Sequence, residues 1–159
     1  MISYGQHSFP GQLFVVEGTD GSGKSTQLML LHQWLKSEGY PVFFSEWNSS
    51  LLVKDTTRRA KRRRLFTPST FSLLHATDFA DRTEREIVPP LKAGAIVLAD
   101  RYIYTALRET WRAVATASGC GNVSLRGQAG GGLFFRAPLE VAISRILTNR
   151  PELKYYEGA

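Results

Sequence analysis

Short apolar runs alternate with segments of helical spacing along this chain, and the alternation predicts its elements. The apolar runs cover residues 13–17 (LFVVE), 41–46 (PVFFSE), 95–100 (AIVLAD) and 133–136 (LFFR). Each has the length of a buried strand, and the run at 95–100 is apolar enough for a central strand covered on both faces. Strands separated by helices indicate an α/β fold with a parallel sheet.

Three segments between and after these runs have the spacing of helices. The first begins near Ser25 and stops near Gly39, and its apolar positions are Leu28, Leu30, Leu31, Trp34 and Leu35. The second begins at Thr67 and Pro68, an N-cap followed by proline, and continues past Glu86 until Pro89 and Pro90 end or kink it. Its apolar positions are Phe71, Leu74 and Ala80. The third opens at Pro138 and carries Val141, Ile143 and Ile146.

Composition narrows the class of protein. A chain of 159 residues with 43% hydrophobic and 21% charged residues fits one globular domain, residues 1–159. No apolar run approaches the roughly 18 to 20 residues of a membrane helix, and no signal peptide is recognisable, so a cytoplasmic protein without membrane contact is expected. A single cysteine, Cys120, excludes an internal disulfide framework and a cysteine-rich zinc site.

A glycine-rich loop between the first strand and the first helix supplies the clearest chemistry. Residues 18–25 read GTDGSGKS, which satisfies G-x-x-x-x-G-K-[ST] in the strand-loop-helix context that the pattern requires. Its backbone N–H groups and the helix N-terminus favour a phosphate, Lys24 can reach the β- and γ-phosphates, and the Ser25 hydroxyl can join an Mg²⁺ shell. The predicted ATP phosphate site comprises Gly18, Thr19, Asp20, Gly21, Ser22, Gly23, Lys24, Ser25 and Thr26.

Asp100 and Arg101 follow the strand at 95–100. Because open α/β sheets place ligand groups at the carboxyl ends of their strands, Asp100 is a candidate for holding Mg²⁺ directly or through water. Arg101 is a candidate clamp for a second phosphate. The alternative for Asp100 is an aspartate that only caps the next turn.

These motifs resemble the thymidylate kinase family of P-loop nucleoside monophosphate kinases. The resemblance covers about two thirds of the chain, and it rests on FVVEGTDGSGKSTQ from Phe14, LLHATDFADRTEREIVPPLKAGAIVLADRY from Leu73 and FFRAPLEVAISRI from Phe134. It implies a three-layer P-loop fold with a parallel sheet, and transfer of the γ-phosphoryl group of ATP to dTMP with Mg²⁺. It further implies catalytic roles for Lys24, Asp100 and Arg101, and an acceptor-facing role for Asp20. Nucleotides are the implied partners, and a homodimer stays open.

The acceptor side departs from the family pattern. The family has an Arg-Glu-Pro-Gly segment after its second strand, where this chain reads SEWNS from Ser45. It also places a base-stacking aromatic residue four positions before an arginine. Here Phe79 and Arg82 are three apart, whereas His75 precedes Phe79 by four, so both registers stay open. Phe79 and Arg82 are taken as acceptor candidates, with a core phenylalanine and a solvated helix arginine as the alternatives, and Arg150 as a candidate lid residue.

The basic run at residues 58–64 contains six Lys and Arg residues and no acid. Its six positive charges equal the net charge of the whole chain, +6. We expect a loop that covers anionic substrates or is simply solvated. Nucleic-acid binding is disfavoured because no aromatic residues alternate with the cations. Two other functions remain as alternatives: an ATP-binding module without kinase activity, and a phosphotransferase with another small acceptor.

Residues 109–132 have neither helical nor strand periodicity and are rich in glycine. One permitted set of codons for residues 109–121 encodes DVARGCDREWVR when its reading frame is shifted by two bases. Codons for residues 128–132 encode KPAVA when the frame is shifted by one base. Both shifted peptides resemble the family at this place. We therefore expect a shifted reading frame in this segment, with a glycine-rich insertion loop as the alternative and no role for Cys120. The family also runs longer, so a chain shortened at its C-terminus is expected.

Overall fold

A computed structural model describes residues 9–102, 105 and 131–149. The described elements are, in chain order, β1 (Gln12–Gly18), α1 (Lys24–Ser37), β2 (Val42–Glu46), α2 (Lys54–Arg62), α3 (Pro68–Arg82), a π-helical turn (Thr83–Ile87), α4 (Val88–Lys92), β3 (Ile96–Asp100), β4 (Gly131–Phe135) and α5 (Leu139–Asn149). The four predicted strands are all present. The fourth begins two residues earlier and ends one residue earlier than its apolar run indicates.

The strands form one parallel sheet in the order β2-β3-β1-β4. In this register Val16 pairs with Asp100, and Asp100 pairs with Glu46. The carboxyl ends of β1, β2 and β3 therefore lie side by side at one edge of the sheet, where parallel sheets place their ligands.

Alternate residues of the central strands face two separate hydrophobic clusters. Leu13, Val15, Val97 and Ala99 pack against Phe79, Ile87, Leu91 and Tyr102. On the other face Val16 and Leu98 pack against Leu28 and Leu35 of α1. Helices thus cover both faces of the sheet, and the prediction of a three-layer α/β fold is confirmed.

Helix α3 begins as predicted and then departs from prediction. The Thr67 hydroxyl accepts a hydrogen bond from the Thr70 N–H at 3.2 Å, and Pro68 follows as the first helical residue. Its buried face is mostly polar, consisting of Ser72, His75, Asp78, Phe79 and Arg82, whereas Ala80 is exposed. Regular α geometry ends at Arg82, and the π-helical turn leads to α4, whose first turn tolerates two prolines because N–H groups there need no intrahelical acceptor.

The expectation of a loop at the basic run is wrong, because residues 54–62 form α2. Asp55 lies in its first turn, and Arg59, Lys61 and Arg62 lie in its last turn, so both kinds of charge match the helix dipole. Buried Thr57 anchors the helix to the protein. Arg64 is the last residue of the basic run, and its φ of 52° turns the backbone just after the helix.

In the part of the chain that the structure describes, no helix combines the length and the apolar character that crossing a membrane requires.

Candidate active site

The loop between β1 and α1 has the shape of a phosphate cradle, and its glycines are required by close approaches. A Cβ atom on Gly18 would lie 2.2 Å from the carbonyl oxygen of Phe135, and one on Gly21 would lie 2.5 Å from that of Ala142. Gly21 and Gly23 also have φ angles of 75° and 88°, which side chains disfavour. The loop is thus packed tightly between β4 and α5.

Lys24 is buried inside this loop. Its Nζ donates a hydrogen bond to the Thr19 carbonyl oxygen at 2.9 Å and lies 4.0 Å from Asp20 Oδ1. Burial lowers the pKa of Lys24, as does nearby Arg101, while Asp20, Asp100 and Glu17 oppose the shift. An ammonium group poorly supplied with water gains most from a phosphate ligand.

Asp20 and Arg101 join the loop to the end of β3. Arg101 Nη2 donates to Asp20 Oδ1 in a direct ion pair. The Arg101 backbone has a φ of 65° and donates its N–H to the Val16 carbonyl oxygen at 2.9 Å. The backbone therefore bends after β3, and the Arg101 guanidinium lies against Asp20 of the loop.

Asp100 ends β3 beside Lys24, and it is nearly buried. Burial raises the pKa of its carboxyl group, against the opposing influence of Lys24 and Arg101. Its Oδ1 atom has no hydrogen-bond partner among the described residues. A carboxylate that only caps a turn would accept hydrogen bonds from backbone N–H groups. The unpartnered oxygen of Asp100 therefore favours a ligand-binding role.

Glu17 was missed by the sequence reasoning. Its carboxylate accepts hydrogen bonds from the Tyr102 N–H at 2.9 Å and from the Thr105 hydroxyl at 2.7 Å. It thereby ties the end of β1 to the segment after Arg101. An acid that ends an otherwise apolar strand, as in LFVVE, was the available signal.

Arg82 is buried completely, so the alternative of a solvated helix arginine is wrong. Its Nε donates to Ser45 Oγ and its Nη2 to the Ser45 carbonyl oxygen, both at 3.1 Å. Nη1 lies 3.8 Å from the Asp78 carboxylate. Burial lowers the pKa of Arg82, and Asp78 opposes that shift most strongly.

Phe79 lies in the core, with its ring centroid 4.9 Å from that of Tyr102. Like Arg82, it does not line the cleft described below. The structure therefore places Phe79 and Arg82 behind the cleft wall rather than in it.

Asp78 fixes the segment that follows β2. Its two oxygens accept the Asn48 and Ser50 backbone N–H groups, each at 3.0 Å. Asn48 itself has a φ of 65°, so the segment turns back here toward α3.

Three aromatic side chains near this segment form a surface that the sequence reasoning did not assemble. The His75 ring lies 4.1 Å from the Phe71 ring and 5.3 Å from the Trp47 ring, between centroids. We call Trp47, Phe71 and His75 the aromatic wall. Only the i, i+4 spacing of Phe71 and His75 was visible in the sequence, because Trp47 comes from a distant segment.

One open cleft of about 1310 Å³ connects these features. The phosphate loop, Asp100, Arg101 and the aromatic wall all line it, as do Glu46, Asn48 and Arg145. Arg145 of α5 donates to the Gly21 carbonyl oxygen at 3.2 Å. It is a cation beside the loop that sequence reasoning missed.

The predicted lid residue Arg150 lies outside the described residues. Most of the predicted frame-shifted segment, residues 109–132, lies outside them too.

Three features together define a P-loop nucleotide-binding protein: a buried lysine in a glycine loop, an acid at the end of the neighbouring strand, and a three-layer fold with a parallel sheet. The thymidylate kinase family model matches residues 16–108, more than half of the chain. The chain belongs to the thymidylate kinase family.

Individual relatives agree with this assignment. The chain is 51% identical over 96 residues to "Probable thymidylate kinase 2" of Saccharolobus solfataricus, an alignment covering 60% of this chain and 45% of that protein. It is 37% identical over 107 residues to "Probable thymidylate kinase" of Pyrococcus horikoshii, covering 64% and 52%. The chain spans about half the length of these curated relatives.

A solved structure supports the fold. The thymidylate kinase of Ehrlichia chaffeensis superposes with a TM-score of 0.66 at 20% identity, covering 86% of this chain and 82% of that one.

Proposed function

We propose that this chain is a single kinase domain that transfers the γ-phosphoryl group of ATP to a nucleoside monophosphate, with dTMP as the acceptor and dTDP as the product. The observation that carries the proposal is the shared cleft, in which the phosphate loop, Asp100, the Asp20–Arg101 pair and the aromatic wall face one volume. The family membership and the names of the relatives support dTMP as the acceptor.

The donor side uses the loop. Its backbone N–H groups and the N-terminus of α1 hold the phosphates of ATP, and Lys24 exchanges its bond to the Thr19 carbonyl for the β- and γ-phosphates. Since an in-line phosphoryl transfer requires mainly alignment and charge neutralisation, the desolvated ammonium supplies much of what the reaction needs.

Asp100 and Ser25 fit a magnesium site. Mg²⁺ is bound by one or two protein oxygen ligands together with water and substrate phosphates, and Asp100 offers an unpartnered carboxylate oxygen. Ser25 lies in the first turn of α1 and lines the same cleft. When bound, the ion neutralises charge on the transferring phosphates.

Arg101 and Asp20 serve the acceptor side. The guanidinium can bind the acceptor phosphate bidentately, and Asp20 holds the guanidinium at the loop, so that donor and acceptor meet between them. Arg82 acts indirectly, since its bonds to Ser45 fix the end of β2, and Phe79 supports Tyr102 from the core.

A coupled ADP-release assay with dTMP, dUMP, UMP, CMP and AMP tests the proposal. We expect turnover with dTMP, and a loss of about a hundredfold or more in Lys24→Ala, the magnitude typical of removing one preorganised charge-stabilising group. Lys36→Ala is the matched control, because Lys36 is exposed in the last turn of the same helix. Retained ATP binding without turnover on any acceptor would contradict the proposal and favour a non-catalytic module.

A further inference from the structure

Arg101 holds a backbone conformation that arginine rarely adopts. Its φ of 65° lies in the left-handed region, where the Cβ atom of an L-residue crowds the neighbouring backbone. A residue stays in this strained region only when its surroundings fix it there. Strain of this kind concentrates at functional sites, so the groups that hold Arg101 are candidates for a role in the reaction.

Two consecutive residues of β1 fix this conformation. The Val16 carbonyl oxygen accepts the Arg101 N–H at 2.9 Å. The Glu17 carboxylate accepts the Tyr102 N–H at 2.9 Å, and it also accepts the Thr105 N–H at 3.3 Å and the Thr105 hydroxyl at 2.7 Å. The two peptide units that flank the Arg101 Cα atom are therefore both fastened to β1. Because each peptide unit is planar, their orientations set φ and ψ of Arg101.

The backbone of Arg101 determines where its guanidinium lies. In the observed conformation the guanidinium makes a direct ion pair with Asp20, and both residues line the cleft. A right-handed or extended backbone would point the Cα–Cβ bond in another direction and move the guanidinium away from Asp20. Glu17 is not among the described residues that line this cleft. Its contacts reach the site through the backbone that follows Arg101.

We propose that Glu17 is a positioning residue for phosphoryl transfer, whose carboxylate holds Arg101 in the left-handed conformation that places the guanidinium beside Asp20. The inference rests on the proposed function, in which Arg101 binds the acceptor phosphate. The length of the side chain matters as well as its charge, because one carboxylate bonds Tyr102 and Thr105 at once. A carboxylate that only stabilises the fold at the end of β1 would not act on Arg101.

Substitutions of Glu17 separate reach from charge. Glu17→Ala should lower kcat/KM for dTMP by about ten- to a hundredfold, the range expected when a binding group is misplaced by about 1 Å. Glu17→Asp keeps the charge but is one methylene shorter, so it should lose nearly as much. Glu17→Gln keeps the length and one acceptor oxygen, so it should recover much of the loss. Glu38→Ala is the matched control, because Glu38 is exposed at the end of α1.

The two Michaelis constants show which side of the site is affected. KM for ATP should stay within about twofold of wild type in all three Glu17 variants, since the interactions of the phosphate loop with ATP are retained. KM for dTMP should rise. A KM for ATP that rises as much as KM for dTMP, or a Glu17→Asp variant equal to wild type, overturns the inference.

A double-mutant cycle with Arg101→Ala tests whether Glu17 acts through the guanidinium. Arg101→Ala leaves no guanidinium to misplace, so adding Glu17→Ala should then change kcat/KM by less than about twofold. A general destabilisation of the fold by Glu17→Ala would persist in that background. Losses that multiply in the double variant overturn the inference.

Amide hydrogen exchange followed by NMR separates this inference from the proposed function, because it requires no turnover. The Arg101 N–H should exchange about tenfold faster or more in Glu17→Ala and Glu17→Asp, and near the wild-type rate in Glu17→Gln. Amides within β3 should not change, since β3 pairs with β1 and β2. Faster exchange at Arg101 in a chain without turnover supports the placement of Arg101 by Glu17 while contradicting the kinase proposal. Unchanged exchange at Arg101 overturns the inference even where turnover falls.

Discussion

The carboxylate of Asp78 holds the segment after β2 against α3, and Asp78→Ala removes three interactions at once. The side chains of Asp78 and Arg82 are 1% and 0% exposed, and their closest atoms lie 3.8 Å apart. The same carboxylate accepts the Asn48 and Ser50 N–H groups at 3.0 Å. The substitution therefore leaves a buried guanidinium without the carboxylate that pairs with it, although Glu86 and Asp100 still act on it, and it leaves two backbone donors without acceptors.

The expected cost follows from these contacts. Removing one partner of a buried ion pair costs about 3 to 5 kcal/mol, and an unsatisfied buried N–H costs about 1 to 3 kcal/mol. The contributions overlap because one carboxylate makes them all, so we expect the free energy of unfolding to fall by about 4 kcal/mol. A domain has about 5 to 15 kcal/mol in total, so this loss is large. Asp78→Asn keeps one acceptor oxygen and should lie in between.

Urea unfolding followed by circular dichroism measures this difference. Asp55→Ala is the matched control, because Asp55 also pairs with an arginine, Arg58, at 3.6 Å, but its side chain is 93% exposed. Exposed pairs contribute little, so the control should cost less than about 1 kcal/mol. An Asp78→Ala variant that is no less stable than Asp55→Ala would refute the reasoning that burial makes this carboxylate indispensable.

Three further predictions concern other parts of the chain. Because the pKa of His75 is about 4 when folded and about 6.5 when unfolded, its contribution to stability is complete above pH 6.5 and is lost as the pH falls toward 4. Urea unfolding at pH 7.5 and 4.5 should show roughly 2 to 3 kcal/mol more loss in wild type than in His75→Gln; equal losses would contradict this. Gly132→Ala in β4 should stabilise by about 0.5 to 1 kcal/mol, because a Cβ atom there meets none of the described residues within 4 Å; a lower melting temperature would contradict it. Resequencing the encoding DNA should reveal insertions or deletions between codons 109 and 132, and an error-free confirmation of the printed frame would remove that hypothesis.

The sequence predicted best where structure is local. The strand, loop and helix around Lys24 follow from contiguous residues, and the predicted end of β3 at Asp100 follows from an apolar run. Helix α2 was missed because it lacks an apolar stripe. Its stability comes from charges matched to the helix dipole and from the burial of Thr57.

The proposed acceptor side could not be predicted because it depends on contacts between distant segments. Buried Arg82 donates two hydrogen bonds to Ser45, which lies 37 positions away in the sequence. The aromatic wall likewise requires Trp47 to pack against α3. The hydrophobic periodicity of a single segment predicts neither contact, because both form only when β2 and α3 pack together.

Transfer of radiolabel from γ-³²P-ATP to dTMP tests the central claim most directly. We predict labelled dTDP with the wild-type chain and with Lys36→Ala, no label in dTDP when dTMP is omitted, and about a hundredfold less labelled dTDP with Lys24→Ala. Label released only as inorganic phosphate, or equal transfer by wild type and Lys24→Ala, would contradict the assignment of this cleft as the site of phosphoryl transfer.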